Sequence, residues 1–486
     1  MGTKVAFGVG SAAESAIMIA FNTFNFLFYN NVLGLSGTLC GLAVTIALIG
    51  DALLDPIVGS LSDRTRSKLG RRHPFLFLAP IPLALSYCLL YAPPEGLSGF
   101  ALFLWFTTFA LLQRASMTLY NVPHLALGAE LSQDYRERSV VMSYNIVFHV
   151  IGGALAFFVG WTWLGRIEGG SSVREGYAPL AATIGLFAAI MIFVSAWFTK
   201  SRIAHLPKPR HEFAPFSLKQ LVSEIRECMQ NRNYLMLLIA LFLFSASTGT
   251  QETLGSYMSL YFWELPEKGI RIFGLASPPG FFLAFALTVR LHARFDKRLT
   301  MVASAVVIAL MMLLPVPLKL LGVLPESGSP ALIPVLFVVL MIHYAALATL
   351  LISVLSALAD IADEHELTTG KRQEGVFFAA RSLFAKASSG FGHIAAGAAV
   401  DLIAFPVGAR PGQVAQDVLV KLGLIAGPLG AIPALLSVWF YAQYRIDRKR
   451  HAEIQRQLEA RHALVPTGTP SLLATEPAAG ALPEPV

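Results

Sequence analysis

Apolar runs of about twenty residues, parted by short polar breaks, recur along almost the whole of this 486-residue chain. A helix of about 20 such residues crosses the hydrocarbon core of a bilayer, and a segment there must satisfy its own backbone polar groups. The runs lack the alternation of barrel strands, so they read as helices. Charged residues make up 14% of the chain and hydrophobic ones 55%, against roughly 25% charged in soluble domains. The chain is therefore expected to be an all-α membrane protein. Twelve spans are predicted, starting near Val5, Thr38, Phe75, Phe100, Ser139, Ala178, Tyr234, Ile272, Thr300, Pro330, Gly375 and Val418.

The net charge of +7 reflects topology and not a nucleic-acid partner. Of the Lys and Arg residues, 26 lie in the termini and in the loops from even to odd spans, 6 lie in the opposite loops, and five are inside spans. By the positive-inside rule both termini are expected in the cytoplasm, with the protein in the plasma membrane, or the inner membrane of a bacterium. The first run carries no small-residue cleavage site and reads as a retained span. Cys40, Cys88 and Cys228 have no metal-ligand or CxxC spacing, so no disulfide and no zinc site is expected.

A polar linker over 200–233 divides the chain into two sets of six spans, 1–199 and 234–443, followed by a basic helix and a Pro/Ala/Thr-rich tail over 444–486. Leu218, Leu221, Ile225 and Met229 in the linker have helical spacing and predict an amphipathic surface helix. Six spans plus six resemble the major facilitator fold, two six-helix bundles that rock about a central site.

Ionisable residues at bilayer depth are costly, by about 2.5 to 3.5 kcal/mol on insertion scales, and usually face a cavity or a partner. Asp51 and Asp55 stand one turn apart on one face of span 2. Two such carboxylates repel unless a cation or proton intervenes, which is how a sodium or proton site is made. On span 4, Arg114, Thr118 and Asn121 share a stripe, and Thr118 could lend an oxygen to a cation held by span 2. Glu14, Asn22 and Asn25 fall in one sector of span 1, and Gln251 and Glu252 lie in span 7. Span 11 carries Arg381 and Lys386, about 140° apart around the helix, so both cannot reach one spot. Lys386 is the expected partner of the two aspartates; Arg381 then contacts substrate or another acid. Glu14, Asn22, Arg114, Asn121, Glu252 and Arg381 form the candidate substrate set. His149 and His343 read as packed, hydrogen-bonded histidines.

Four stretches now resemble the glycoside-pentoside-hexuronide:cation symporters, the melibiose permease-like family. They are FGVG from Phe7, DALLDPIVGSLSDRTRSKLGRR from Asp51, GAELSQDYRERS from Gly128, and DEHELTTGKRQEG from Asp363 leading to Lys386. The resemblance covers most of the chain and implies cation-coupled sugar transport. It implies that Asp51, Asp55 and Thr118 bind sodium or a proton and that Lys386 couples to them, with Arg372 opening span 11. The chain also departs from the melibiose permease type. Ser15 and Asn121 stand where that type has aspartates, Ile146 replaces its arginine, Leu125 its tryptophan, and Leu54 its asparagine cation ligand. Losing two acids while carrying Arg114 and Arg381 points toward an anionic solute such as a hexuronide.

The basic run containing Arg64, Arg71 and Arg72 and the acidic cluster Asp363, Glu364 and Glu366 are expected on one face of the membrane, where they could form a gate that pairs in one state and parts in another. No nucleophile and base stand together at depth, so an enzyme is not expected, nor a cofactor beyond the coupling ion. The predicted activity is cation-coupled symport of a sugar or glycoside by a monomer, with small solute and membrane lipid as partners. The alternatives are a lysophospholipid symporter and a non-transporting solute sensor.

Overall fold

The computed structural model describes residues 2–131, 134–205, 223, 225–371 and 373–464. Leu218 and Leu221 of the predicted linker helix, Arg372, and the tail from 465 lie outside the described residues.

Eleven helices among the described residues are long and apolar enough to cross a membrane. They are α1 (Gly2–Val32), α2 (Gly37–Arg64), α3 (His73–Leu90), α4 (Gly99–Glu130), α5 (Val140–Leu164), α6 (Arg174–Ile203), α7 (Arg232–Phe262), α8 (Lys268–Arg294), α9 (Lys297–Leu320) and α10 (Leu332–Thr369), with α12 (Gln416–Tyr441). Between the last two runs α11 (Glu374–Leu402), 29 residues long. It is the twelfth span by length and by packing along α2 and α7, although its polar residues keep it out of the apolar set. Those residues meet protein instead of lipid.

The two halves repeat one pattern of adjacency. In the first, α1 packs on α5 and α6, α2 on α4, and α3 on α4 and α6; in the second, α7 packs on α11 and α12, α8 on α10, and α9 on α10 and α12. This is the same scheme shifted by six helices, the mark of an internal structural repeat. The halves meet chiefly where α2 runs beside α11, and the equivalent pair, α5 and α8, also touches.

Hydrogen bonds across the halves gather on the side away from the termini, called the far side below. Gly408 donates its N–H to the Asn31 carbonyl at 2.8 Å. Tyr257 donates to Asn30 Oδ1 at 2.6 Å, and Ser256 to the Thr23 carbonyl at 2.6 Å. On the termini side α13 (Arg448–Leu464) lies against α10 and buries Ile454 and Leu458 in the core of the second half. Ile225 and Met229, the described part of the linker stripe, pack on that same core. This described end of the linker is thus part of the second half.

Candidate cation and substrate site

The site begins with glycine. A Cβ on Gly41 would strike the His393 carbonyl, and one on Gly397 the Gly37 carbonyl, so α2 and α11 touch backbone to backbone. Small residues permit this approach between helices in a membrane. Thr45 Oγ1 donates to the Gly390 carbonyl at 2.8 Å and ties the seam further.

So close a seam brings the charges of the two helices into contact. Lys386 Nζ lies 2.6 Å from Asp55 Oδ2 and 2.9 Å from Asp51 Oδ2. Thr118 of α4 donates to Asp51 Oδ1 at 2.6 Å and approaches Asp55 Oδ1 at 3.3 Å. Arg114 Nη1 stands 3.5 Å from Asp51 Oδ2. Asp51 therefore faces two cations and Asp55 one. The Asp55 side chain is also the more open, 31% exposed against 12%. Of the two carboxylates, Asp55 is thus the one more accessible from outside the cluster, and it shares the Lys386 ammonium with Asp51. Two carboxylates and one hydroxyl are hard oxygen donors of the kind that bind small cations.

The candidate substrate residues divide. Asn121 donates to Glu14 Oε1 at 2.8 Å, joining α4 to α1. The Arg114 guanidinium sits over the Phe21 ring at 5.2 Å. Asn22 and Glu252 line a cleft between the halves together with Phe21, Asn25, Thr253 and His393. Arg381 is elsewhere, within electrostatic reach of Tyr441 and Tyr234 of its own half. Its position some 140° around α11 from Lys386 turns it away from the seam.

Three of the gate residues, Arg71, Arg72 and Asp363, pair within their own halves. Arg71 pairs with Glu130 at 2.8 Å, and Arg72 with Asp63 and Glu130 at 2.5 and 3.0 Å. Asp363 accepts from Gln455 at 2.7 Å and lies 3.2 Å from His451, both on α13. Arg64 is exposed at the end of α2, and Glu366 is buried in α10. Nearby, Lys371 hydrogen-bonds Glu227 at 2.8 Å and holds that carboxyl below its ordinary range.

Three functional candidates escaped the reading of the sequence. His393 lies seven residues after Lys386, two turns along the same face, and its Nδ1 is 2.6 Å from Thr253 Oγ1. That spacing was a usable signal. Asp401, on the far side, accepts from the Gly37 and Thr38 amides at 2.7 and 2.9 Å and from the Ser36 and Thr38 hydroxyls, both at 2.7 Å. It caps α2 from the other half, a pairing with no sequence signature. Asp360 receives Lys297 at 2.7 Å and Tyr444 at 3.1 Å and lies 3.3 Å from His451.

The MFS/sugar transport protein family matches residues 6–448. The chain belongs to this family. It is a major facilitator membrane transporter and not an enzyme. The transporter is 24% identical to the uncharacterized symporter YnaJ of Bacillus subtilis, over 94% of each chain. It is also 24% identical to the isoprimeverose transporter of Lactiplantibacillus pentosus, over 93% of this chain and 92% of that one. Among solved structures, a bacterial homologue of the human lysosomal transporter Spinster superposes with a TM-score of 0.63 at 13% identity, covering 94% of this chain and 97% of that one.

Proposed function

We propose that the transporter carries a sugar or glycoside across the membrane together with a sodium ion or a proton, by alternating access. The observation that carries this reading is the ion cluster at the α2–α11 seam, in which Lys386 of one half is held by Asp51 and Asp55 of the other. With Lys386 in place the seam is neutralised and the far side stays shut. A proton or sodium ion at Asp55 takes over part of that neutralisation and loosens Lys386, so that ion binding changes the energy of the contact between the halves. That is the requirement for coupling. Leu54 adds no oxygen to Asp51, Asp55 and Thr118, which favours a proton over sodium.

Relatives named as symporters and as a sugar transporter support the solute class. In this reading Glu14, Asn22, Asn121 and Glu252 serve the solute, the termini are cytoplasmic, and Arg64, Arg71, Arg72, Asp363 and Glu366 meet across the cytoplasmic mouth when the far side opens. The test is uptake by proteoliposomes under an imposed sodium or pH gradient, with isoprimeverose, melibiose and other glycosides, and with lysophosphatidylcholine as the rival solute. Asp55→Asn should abolish concentrative uptake while leaving exchange down a solute gradient. Undiminished accumulation by that variant overturns the coupling.

A further inference from the structure

We propose that the termini-side end of α8 binds the phosphate head group of an anionic membrane phospholipid through Arg290, Arg294 and Arg298, a role separate from the carried solute.

One cation at depth lies outside the transport site. Of the five inside spans, Arg114 and Lys386 meet the aspartates of α2, Lys421 pairs with Asp417 at 3.0 Å, and Arg381 turns toward Tyr234 and Tyr441. The fifth, Arg290, is exposed, with no carboxylate at ion-pair distance among the described residues. A guanidinium within a span needs a counter-charge or water. Arg294 is the last residue of α8, and Arg290 lies one turn, about 6 Å, deeper. A side chain of that length reaches the head-group level.

The surroundings of Arg290 are ordered like a lipid. Gly280, Ala284 and Thr288 form the buried face of α8, where Thr288 donates to Thr349 of α10 at 3.1 Å. Leu283, Leu287, Arg290 and Arg294 follow at helical spacing on another face, and all four are exposed. Two apolar side chains toward mid-membrane and two guanidiniums at its edge match an acyl chain and its phosphate. That continuity with apolar surface assigns the site to a lipid and not to free phosphate.

The acids of the next turn are already engaged. Asp296 pairs with Arg448 of α13 at 3.4 Å, and Asp360 holds Lys297 at 2.7 Å. Arg448 also donates to the Phe295 carbonyl at 3.1 Å and so fixes the turn between α8 and α9. Arg298, in the first turn of α9, is exposed and has no carboxylate partner among the described residues. Three unpaired guanidiniums thus flank one turn, and the guanidinium fork matches phosphate oxygens.

The internal repeat shows that the fold does not require these charges. Ile57 and Leu61 stand six and two residues before Asp63 at the end of α2, as Arg290 and Arg294 stand before Asp296. Both counterparts are exposed and apolar. The helix dipole favours Arg294 but fades beyond the last turn, and loop charges suffice for orientation. Neither effect accounts for Arg290.

The experiment is lipid binding to the full chain, followed by native mass spectrometry with phosphatidylglycerol, phosphatidylcholine or inorganic phosphate added. Phosphatidylglycerol should bind more tightly than phosphatidylcholine. Arg290→Gln combined with Arg294→Gln should weaken it by about 30-fold, at about five-fold per charge. Arg66→Gln combined with Lys68→Gln removes two exposed charges from the loop between α2 and α3 and should leave the affinity unchanged. The site is overturned if phosphatidylglycerol shows no preference, or if the α8 variant binds it within about three-fold of wild type. It is equally overturned if the loop variant weakens binding as much, since any basic surface then suffices. Inorganic phosphate at the lipid's concentration should not displace it; displacement overturns the lipid assignment in favour of free phosphate. Where the α8 variant unfolds at a lower temperature than wild type in phosphatidylcholine alone, Arg298→Gln decides: a loss of about five-fold supports the site, and unchanged binding overturns it.

Discussion

Replacing Asp401 by alanine should open the far side of the transporter. Its carboxylate takes four hydrogen bonds from Ser36, Gly37 and Thr38, all across the boundary between the halves. A hydrogen bond to a charged group contributes about 1.5 to 3 kcal/mol where it is buried, and much less where water screens it. Most of this clasp is exposed, so about 0.5 kcal/mol per bond, or about 2 kcal/mol in all, is the appropriate scale. That shifts the balance toward the far-side-open form by about 30-fold. The native Cys40 reports it. Cys40 is fully buried one turn into α2 and lies within electrostatic reach of Asp401 and of Tyr257 in the opposite half. Site-resolved mass spectrometry of maleimide labelling should show Cys40 reacting about 30-fold faster in Asp401→Ala. Cys228, buried in the core of the second half on the termini side, should keep its wild-type rate and serves as the internal control. A rise of less than about three-fold at Cys40 refutes the clasp as a determinant of closure.

Gly41→Leu should block closure of the far side, because its side chain would drive into the His393 backbone; Cys40 labelling should rise as for Asp401→Ala, and an unchanged rate contradicts the backbone contact. Lys386→Ala leaves Asp51 and Asp55 facing each other beside Arg114 and removes the cation that ties the pair to the second half. Uptake in that variant should lose its dependence on the ion gradient, and retained concentrative uptake would argue against Lys386 as the coupling residue. Asp360→Ala removes the partner of Lys297 and Tyr444 beneath α13, and breaking so buried a pair should cost about 3 kcal/mol of stability. Thermal unfolding in nanodiscs checks this; an unshifted midpoint contradicts it.

The apolar runs determine by themselves that the chain crosses a membrane many times as helices, because hydrocarbon offers the backbone no other partner. The same logic marks Asp51, Asp55, Lys386, Arg114 and Glu252, since an ionisable side chain at depth stands out against its apolar surroundings. Helical spacing goes one step further and separates Lys386 from Arg381 on α11. Spacing cannot say what a face touches. No spacing or motif singles out Asp401, and only the seam of α2 and α11 makes it a cap on the other half. Arg71 and Asp363 read as opposite charges on one side, yet each finds a nearer partner in its own half. Arg114 and Arg381 read as two cations at depth, and only the structure separates them, setting Arg114 beside Asp51 and Arg381 toward Tyr234 and Tyr441. Local periodicity fixes which side chains share a helix face, since the helix repeats every few residues. Which faces meet depends on glycines that let two backbones touch more than 300 positions apart in the chain, and that is a property of the packed structure.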